Sequence, residues 1–219
     1  RSSAASDVYK RQNLTYVIAF VLPLIMMAAL YYTREIFPWG SDCYLRSDMY
    51  HQYAPFFSEL WHKIRNGESL TYSWDIGMGT NFTSLYAYYL ASPVNWFIVL
   101  FPQKYMIEIM NSLIILKIAG SSLAITYYIT RHFDTKNCVA ALFGMFYGMS
   151  GFIAAYSWNI MWLDCVILLP LIMLGLERLV NENKCIFYCV TLGLCIFTNY
   201  YISIMVCISV VIYFIVLMI

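Results

Sequence analysis

Between residues 41 and 57 the chain reads SDCYLRSDMYHQYAPFF, which gathers Asp42, Arg46, Asp48, His51 and Gln52 in one short polar stretch. A hydroxyl that attacks at neutral pH needs a carboxylate or an imidazole to take its proton. A departing phosphate needs a cation or a metal beside it. The stretch offers both kinds of group, and Arg34 and Lys63 add cations on either side of it. Asp48 also stands where an amphipathic helix begins, so its plainer reading is a cap favoured by the helix dipole. The crowding of Asp42, Arg46, His51 and Gln52 around it tips the balance toward chemistry.

Two more ionisable residues stand out because of where they lie. Asp164, in SWNIMWLDCVILLP, opens an apolar helix after Trp158, Asn159 and Trp162. It reads either as a capping acid in an interfacial aromatic belt or as a second wall of the site on the first loop. Lys117 sits midway along NSLIILKIAGSSLAITYY. A cation near a bilayer centre costs about 2.5–3.5 kcal/mol, so it should face protein or a polar cavity. Glu108 or a tyrosine is the expected partner. His62 and His132 read as ordinary interfacial residues.

The elements that must position these groups are membrane helices. Apolar residues make up 62% of the chain and charged residues only 11%, far from the balance of a soluble domain. A net charge of +1 gives no reason to expect nucleic acid as a partner. Runs of roughly 20 apolar residues are expected to span; they fall at 14–32, 105–130, 138–156, 163–180, 185–199 and 202–219. Segment 81–101 is uncharged and long enough to add another crossing. The loops carrying Arg131 with Lys136 and Arg178 with Lys184 belong on one side, the cytoplasmic side by the positive-inside rule. That assignment keeps 33–104 outside as one long first loop, with 81–101 a helix–break–helix in the interface or re-entering against protein. Within the loop, Met49, Tyr53, Phe56, Phe57, Leu60 and Ile64 recur at helical spacing opposite Gln52, Ser58, Glu59, Lys63 and Arg65. This predicts an amphipathic helix on the outer leaflet, stopped at Asn66-Gly67 and followed by a tight glycine-rich loop.

The seven cysteines match no metal spacing. Six lie in apolar segments as small hydrophobes, and Cys43 alone is expected to be exposed. Asn13 and Asn81 match the N-x-T pattern, which carries little weight by itself. Residues 1–12, RSSAASDVYKRQ, differ in composition from the rest and read as a non-native leader. Residues 13–219 read as the amino-terminal part of a longer transmembrane domain.

Four segments together, DMYHQYAPFFSELWHKIRNGESLTYSWDIGMGTNF, YLASPVNWFIVLFP, NIMWLDCVILLPLIMLGLERLV and TNYYISIMVCISVVIYF, resemble the bacterial YfhO family of the GT-C glycosyltransferase superfamily. The similarity runs from about residue 14 to the end. It implies an all-α polytopic membrane protein, a GT-C-like bundle whose long first outer loop carries juxtamembrane amphipathic helices. It also implies a glycosyltransferase of the plasma membrane that moves a sugar from a polyprenyl-phosphate donor to an envelope acceptor such as lipoteichoic acid. The family's catalytic acid of the first outer loop matches Asp48, in a D-x-x-x-Q-Y run with Gln52 and Tyr53. Asp164 matches an acid expected to bind substrate or place a metal.

On this reading Asp48 is the base. Arg34, Arg46 or Lys63 neutralises the leaving phosphate, with a divalent cation, magnesium or manganese, as an assisting charge. Gln52, Tyr53, Trp158, Asn159, Asp164 and Lys117 complete the substrate site, and 81–101 lines a groove for the polyprenyl tail. Two rivals come from other classes. A lipid-linked sugar flippase would place ionisable groups along a path near the midplane, where this chain has little besides Lys117. A non-catalytic assembly partner would be indifferent to Asp48.

Overall fold

The computed structural model describes residues 3–45, 47–135 and 137–219, with the backbone alone for 3–12. Arg46, Lys136 and the side chains of residues 1–12 therefore lie outside the described residues.

The first helix, α1 (Ser3–Thr33), carries Pro23 inside it. A long excursion follows. It bends through a bridge between Ile36 and Asp42 and a π-helical turn at Met49–Tyr53 into α2 (Ala54–Asn66). Gly67, at φ 68°, takes the left-handed position that ends α2, a conformation a residue without Cβ adopts freely. A two-residue hairpin, β1 (Tyr72–Ser73) against β2 (Thr80–Asn81), leads to α3 (Phe82–Leu85). Segment 86–100 is then a π turn, a break at 91–92 and a 3-10 helix at Pro93–Leu100. The expected helix–break–helix is present.

The remaining helices form the bundle: α4 (Met106–His132), α5 (Val139–Gly148), α6 (Gly151–Tyr156), α7 (Leu163–Glu182), α8 (Ile186–Thr198) and α9 (Tyr200–Met218). Side-chain pairs give their directions. Tyr16 meets Thr130 while Met27 and Ile118 line one groove, so α1 and α4 are antiparallel. Lys117 meets Asp164, and His132 meets Glu177, so α4 and α7 are parallel. Asn199, at the start of α9, meets Cys165 near the start of α7, and Tyr213 bonds Glu177 further along, so α9 also runs with α7. The loops after α4 and α7 consequently share one end of the bundle, and everything between α1 and α4 sits at the other, as the charge pattern requires.

Among the described residues, four helices are long and apolar enough to cross a membrane: Asn13–Thr33, Gln103–His132, Val139–Tyr156 and Tyr200–Met218. Helix α7 carries Asp164, Glu177 and Arg178, and α8 is short, so neither expected span meets that standard, although both pack within the bundle.

Small residues set the closest helix contact. Ala140, Gly144 and Gly148 recur every four residues on α5 and face Ser122 and Thr126 of α4; a Cβ on Gly144 would fall 2.0 Å from Thr126 Oγ1. Lipid tails are as apolar as leucine, so membrane helices associate through such close backbone approach rather than through the hydrophobic effect.

Helix α2 corrects two expectations. Its apolar stripe packs on protein rather than on the outer leaflet: Met49, Phe57 and Leu60 are fully buried against Met110, Leu113 and Ile114 of α4 in the main core. Its polar face is not all solvated either, because Glu59 and Lys63 are 8% and 4% exposed. Cys43 is exposed as expected, but so are Cys138, Cys185 and Cys189. These three sit at ends or outer faces of helices that the apolar runs alone did not distinguish from buried ones.

Candidate functional site

Asp48 opens the Met49–Tyr53 turn with helical backbone angles, and its carboxylate makes no capping hydrogen bond. It is exposed and enters no ion pair among the described residues. The cap reading therefore finds no support in the geometry. His51 is exposed beside it, edge-on to Tyr50.

The turn itself is held tightly. Met49 and Tyr53 are buried beneath it. The Tyr53 hydroxyl donates to Asn159 Oδ1 at 2.9 Å, and its ring stacks on Trp158. Burial first, then the neighbouring Tyr89 and Asp48, push the Tyr53 phenol above its ordinary range, so it stays protonated and keeps donating. Gln52 Nε2 donates to the Tyr89 hydroxyl at 3.2 Å. Gln52, Tyr53, Trp158 and Asn159 thus lie together beside Asp48, but largely as its support.

Trp158 has a second face. With Ser157 it closes the rim of a groove of about 850 Å³ between α1, α4, α5 and α6. Met27, Leu30, Ile118, Met149 and Ile153 line its deeper walls; Arg34, Glu35, Asp42 and Tyr44 stand at the loop end. The groove is apolar along the helices and charged at its mouth. Arg34 is exposed there and free of ion pairs among the described residues. Segment 81–101 does not line this groove.

Lys117 and Asp164 are nearly inaccessible, at 2% and 6% exposure. Lys117 Nζ donates to Asp164 Oδ2 at 2.6 Å and to the Ile160 carbonyl at 3.1 Å. Ser92 Oγ donates to the other oxygen, Oδ1, at 2.9 Å. The partner of Lys117 is thus Asp164, not Glu108 or a tyrosine. With both oxygens engaged and a cation against one, Asp164 does not fit the metal-placing role inferred for it, nor does it contact Asp48. Lys63 is likewise committed, 3.4 Å from Glu59 and 3.6 Å from Glu68, and donates to the Tyr72 carbonyl. Of the three cations expected near a leaving phosphate, Arg34 is available and Arg46 lies outside the described residues.

Sequence reasoning missed Tyr44, Ser92, Ser157 and Asn199. Tyr44 and Ser157 hydroxyls lie 2.5 Å apart, and Asn199 Nδ2 donates to the Tyr88 carbonyl at 3.0 Å. A small polar residue beside a proline or between two apolar helices, as at Ser92-Pro93 and Thr198-Asn199, was the available signal.

The apolar spans, the bundle and the loop held at one end define a multi-pass membrane protein. The family described as Bacterial membrane protein YfhO matches residues 19–219, and the chain belongs to that family. No curated protein and no solved structure matches the chain.

Proposed function

We propose that this protein transfers a sugar from a polyprenyl-phosphate donor to a hydroxyl of a cell-envelope polymer, lipoteichoic acid among the candidates, at the outer face of a bacterial plasma membrane. The observation that carries this reading is an exposed carboxylate, Asp48, in no ion pair among the described residues, on a rigid turn that shares Trp158 with a groove suited to a lipid phosphate. The groove's apolar length takes the isoprenoid chain and its charged mouth takes the headgroup. Such concave sites, mostly apolar with a few placed polar groups, are what ligands of this kind need.

Asp48 removes the proton from the acceptor hydroxyl. The hydroxyl oxygen bonds to the anomeric carbon as the bond from that carbon to the phosphate oxygen breaks, with inversion. The phosphate leaves with the electron pair, and Arg34 stabilises its charge. The flippase reading draws less support, because the mid-bundle cation is closed off by Asp164 rather than lining an open path. The test uses membrane vesicles with the full-length protein, a labelled polyprenyl-phosphate sugar and a crude envelope acceptor. Wild type should transfer label and Asp48→Asn should lose roughly 10²–10⁴-fold, the usual contribution of a general base. Equal transfer by both would remove Asp48 from the chemistry; absence of transfer by either, with donor crossing the membrane, would favour the flippase.

A further inference from the structure

Further along α2, away from Asp48 by about three helical turns, a second cluster faces the hairpin. Glu59 and His62 are an i, i+3 pair and so share a face of the helix. Asp75, on the loop after β1, faces them: one ligand atom from each of the three residues lies within 4.8 Å of the others. They border a cleft of about 320 Å³, together with Ser58, Ile76 and Gln103.

Three observations set this cluster apart from a chance meeting of surface acids. Glu59 is nine-tenths buried, with Oε1 accepting from Ser73 Oγ at 2.6 Å. His62 Nδ1 is shut off from solvent and has no hydrogen-bond partner; the nearest acid to it, Glu68, is 3.6 Å away. The charges also do not balance. Glu59, Glu68 and Asp75 bring three carboxylates, and Lys63, paired with Glu59 and Glu68, is the one ammonium ion-paired with any of them among the described residues.

We propose that Glu59, His62 and Asp75 form a binding site for a divalent transition-metal ion. One imidazole nitrogen with two carboxylate oxygens is a donor set for zinc or manganese rather than calcium, and two positive charges compensate the surplus. A Glu-x-x-His pair on one helix face is a recurrent way to present such ligands. Asn66 Nδ2 lies 2.8 Å from His62 Nε2. An amide flip, which exchanges nitrogen and oxygen in place, would make Nε2 the donor to Asn66 Oδ1 and leave the Nδ1 lone pair for the metal; an outer partner of this kind fixes ring and tautomer. The ion ties the turn after β1 to α2, a structural role that does not depend on the transfer reading.

The test uses the purified full-length protein in detergent, stripped with chelator and then titrated with Zn²⁺, and reads bound metal per chain by elemental analysis and the shift in thermal midpoint. Wild type should retain about one zinc and rise in midpoint, as any ligand of the folded state requires. Asp75→Asn changes an exposed side chain and should fold normally, yet lose affinity at least as much as loss of an outer-shell partner, roughly 10–100-fold. His62→Gln should match it, and Glu68→Gln should keep the metal. Zinc binding no stronger in wild type than in Asp75→Asn and His62→Gln would overturn the proposal.

Discussion

Replacing Lys117 by Met keeps the length of the side chain but leaves Asp164 in the bundle without its cation. At 2.6 Å and an effective dielectric of about 20, two unit charges attract by about 6 kcal/mol. Removing each ion from water costs several kcal/mol, so the intact pair gains little over an apolar pair of the same shape. Removing one partner is different, because the other stays buried and uncompensated at about 3–5 kcal/mol. Lys117→Met should therefore destabilise by that amount, and so should Asp164→Leu, which also strands Ser92. The double variant should recover most of the loss, keeping only about 1–3 kcal/mol for the unpaired Ser92 hydroxyl and Ile160 carbonyl. The assay is a double-mutant cycle from reversible denaturant unfolding in mixed micelles. Polar contacts between membrane helices average about 0.6 kcal/mol in such cycles. A coupling of several kcal/mol would establish a committed ion pair. A coupling near 0.6 kcal/mol would refute the reasoning and make Lys117–Asp164 one polar contact among many.

Gly144→Val should block folding, because even the first added carbon meets Thr126 and the Ser122 carbonyl; Gly193→Ala, with nothing within 4 Å, should be silent. Gel filtration of the two variants in detergent checks both. Tyr53→Phe should cost about 1–3 kcal/mol and lower transfer without changing donor affinity, since it removes the bond to Asn159 but nothing at the groove mouth; thermal midpoints with transfer kinetics test this.

Much of the architecture was readable because its signals are local. Apolar runs predicted the four spanning helices, though also 163–180 and 185–199, which fall short of that standard; the Arg and Lys pattern put 33–104 at one end, and Asn66-Gly67 predicted the end of α2. The eventual partners were another matter. Lys117 was recognised as a cation that needs company, but Asp164 is far away in sequence, and only the parallel packing of α4 on α7 brings them together. Asp164 was recognised too, as an interfacial cap or a wall of the first-loop site, but its burial against Lys117 was not foreseen, because its place at a helix start says nothing about how deep that start lies. Glu59 and Lys63 were assigned to the polar face of an amphipathic helix. The hairpin that covers them contributes Ser73 and the Tyr72 carbonyl, and periodicity within α2 carries no trace of it. The Ala140-Gly144-Gly148 spacing was legible and passed unnoticed, since a search for spans counts apolarity and is blind to size.

Four polar contacts between the first loop and the bundle have one orientation in common. Tyr44 to Ser157, Tyr53 to Asn159, Ser92 to Asp164 and the Tyr88 carbonyl to Asn199 each tie the first loop to the end of the bundle where α7 and α9 begin. Every anchor on the bundle side sits in or next to an interruption between helices, where backbone and side-chain polar groups are free to turn outward. A long excursion between two membrane helices is by default a mobile segment. Here four bonds spread from residue 44 to residue 92 leave it few ways to move as a whole. Asp48 lies between two of the anchors, so an exposed side chain is carried on backbone that is fixed. Reactions gain most when the reacting group is held in place before the substrate arrives. The interruptions that weaken α6–α7 and α8–α9 as continuous spans are thus what hold the first loop as a rim over the groove.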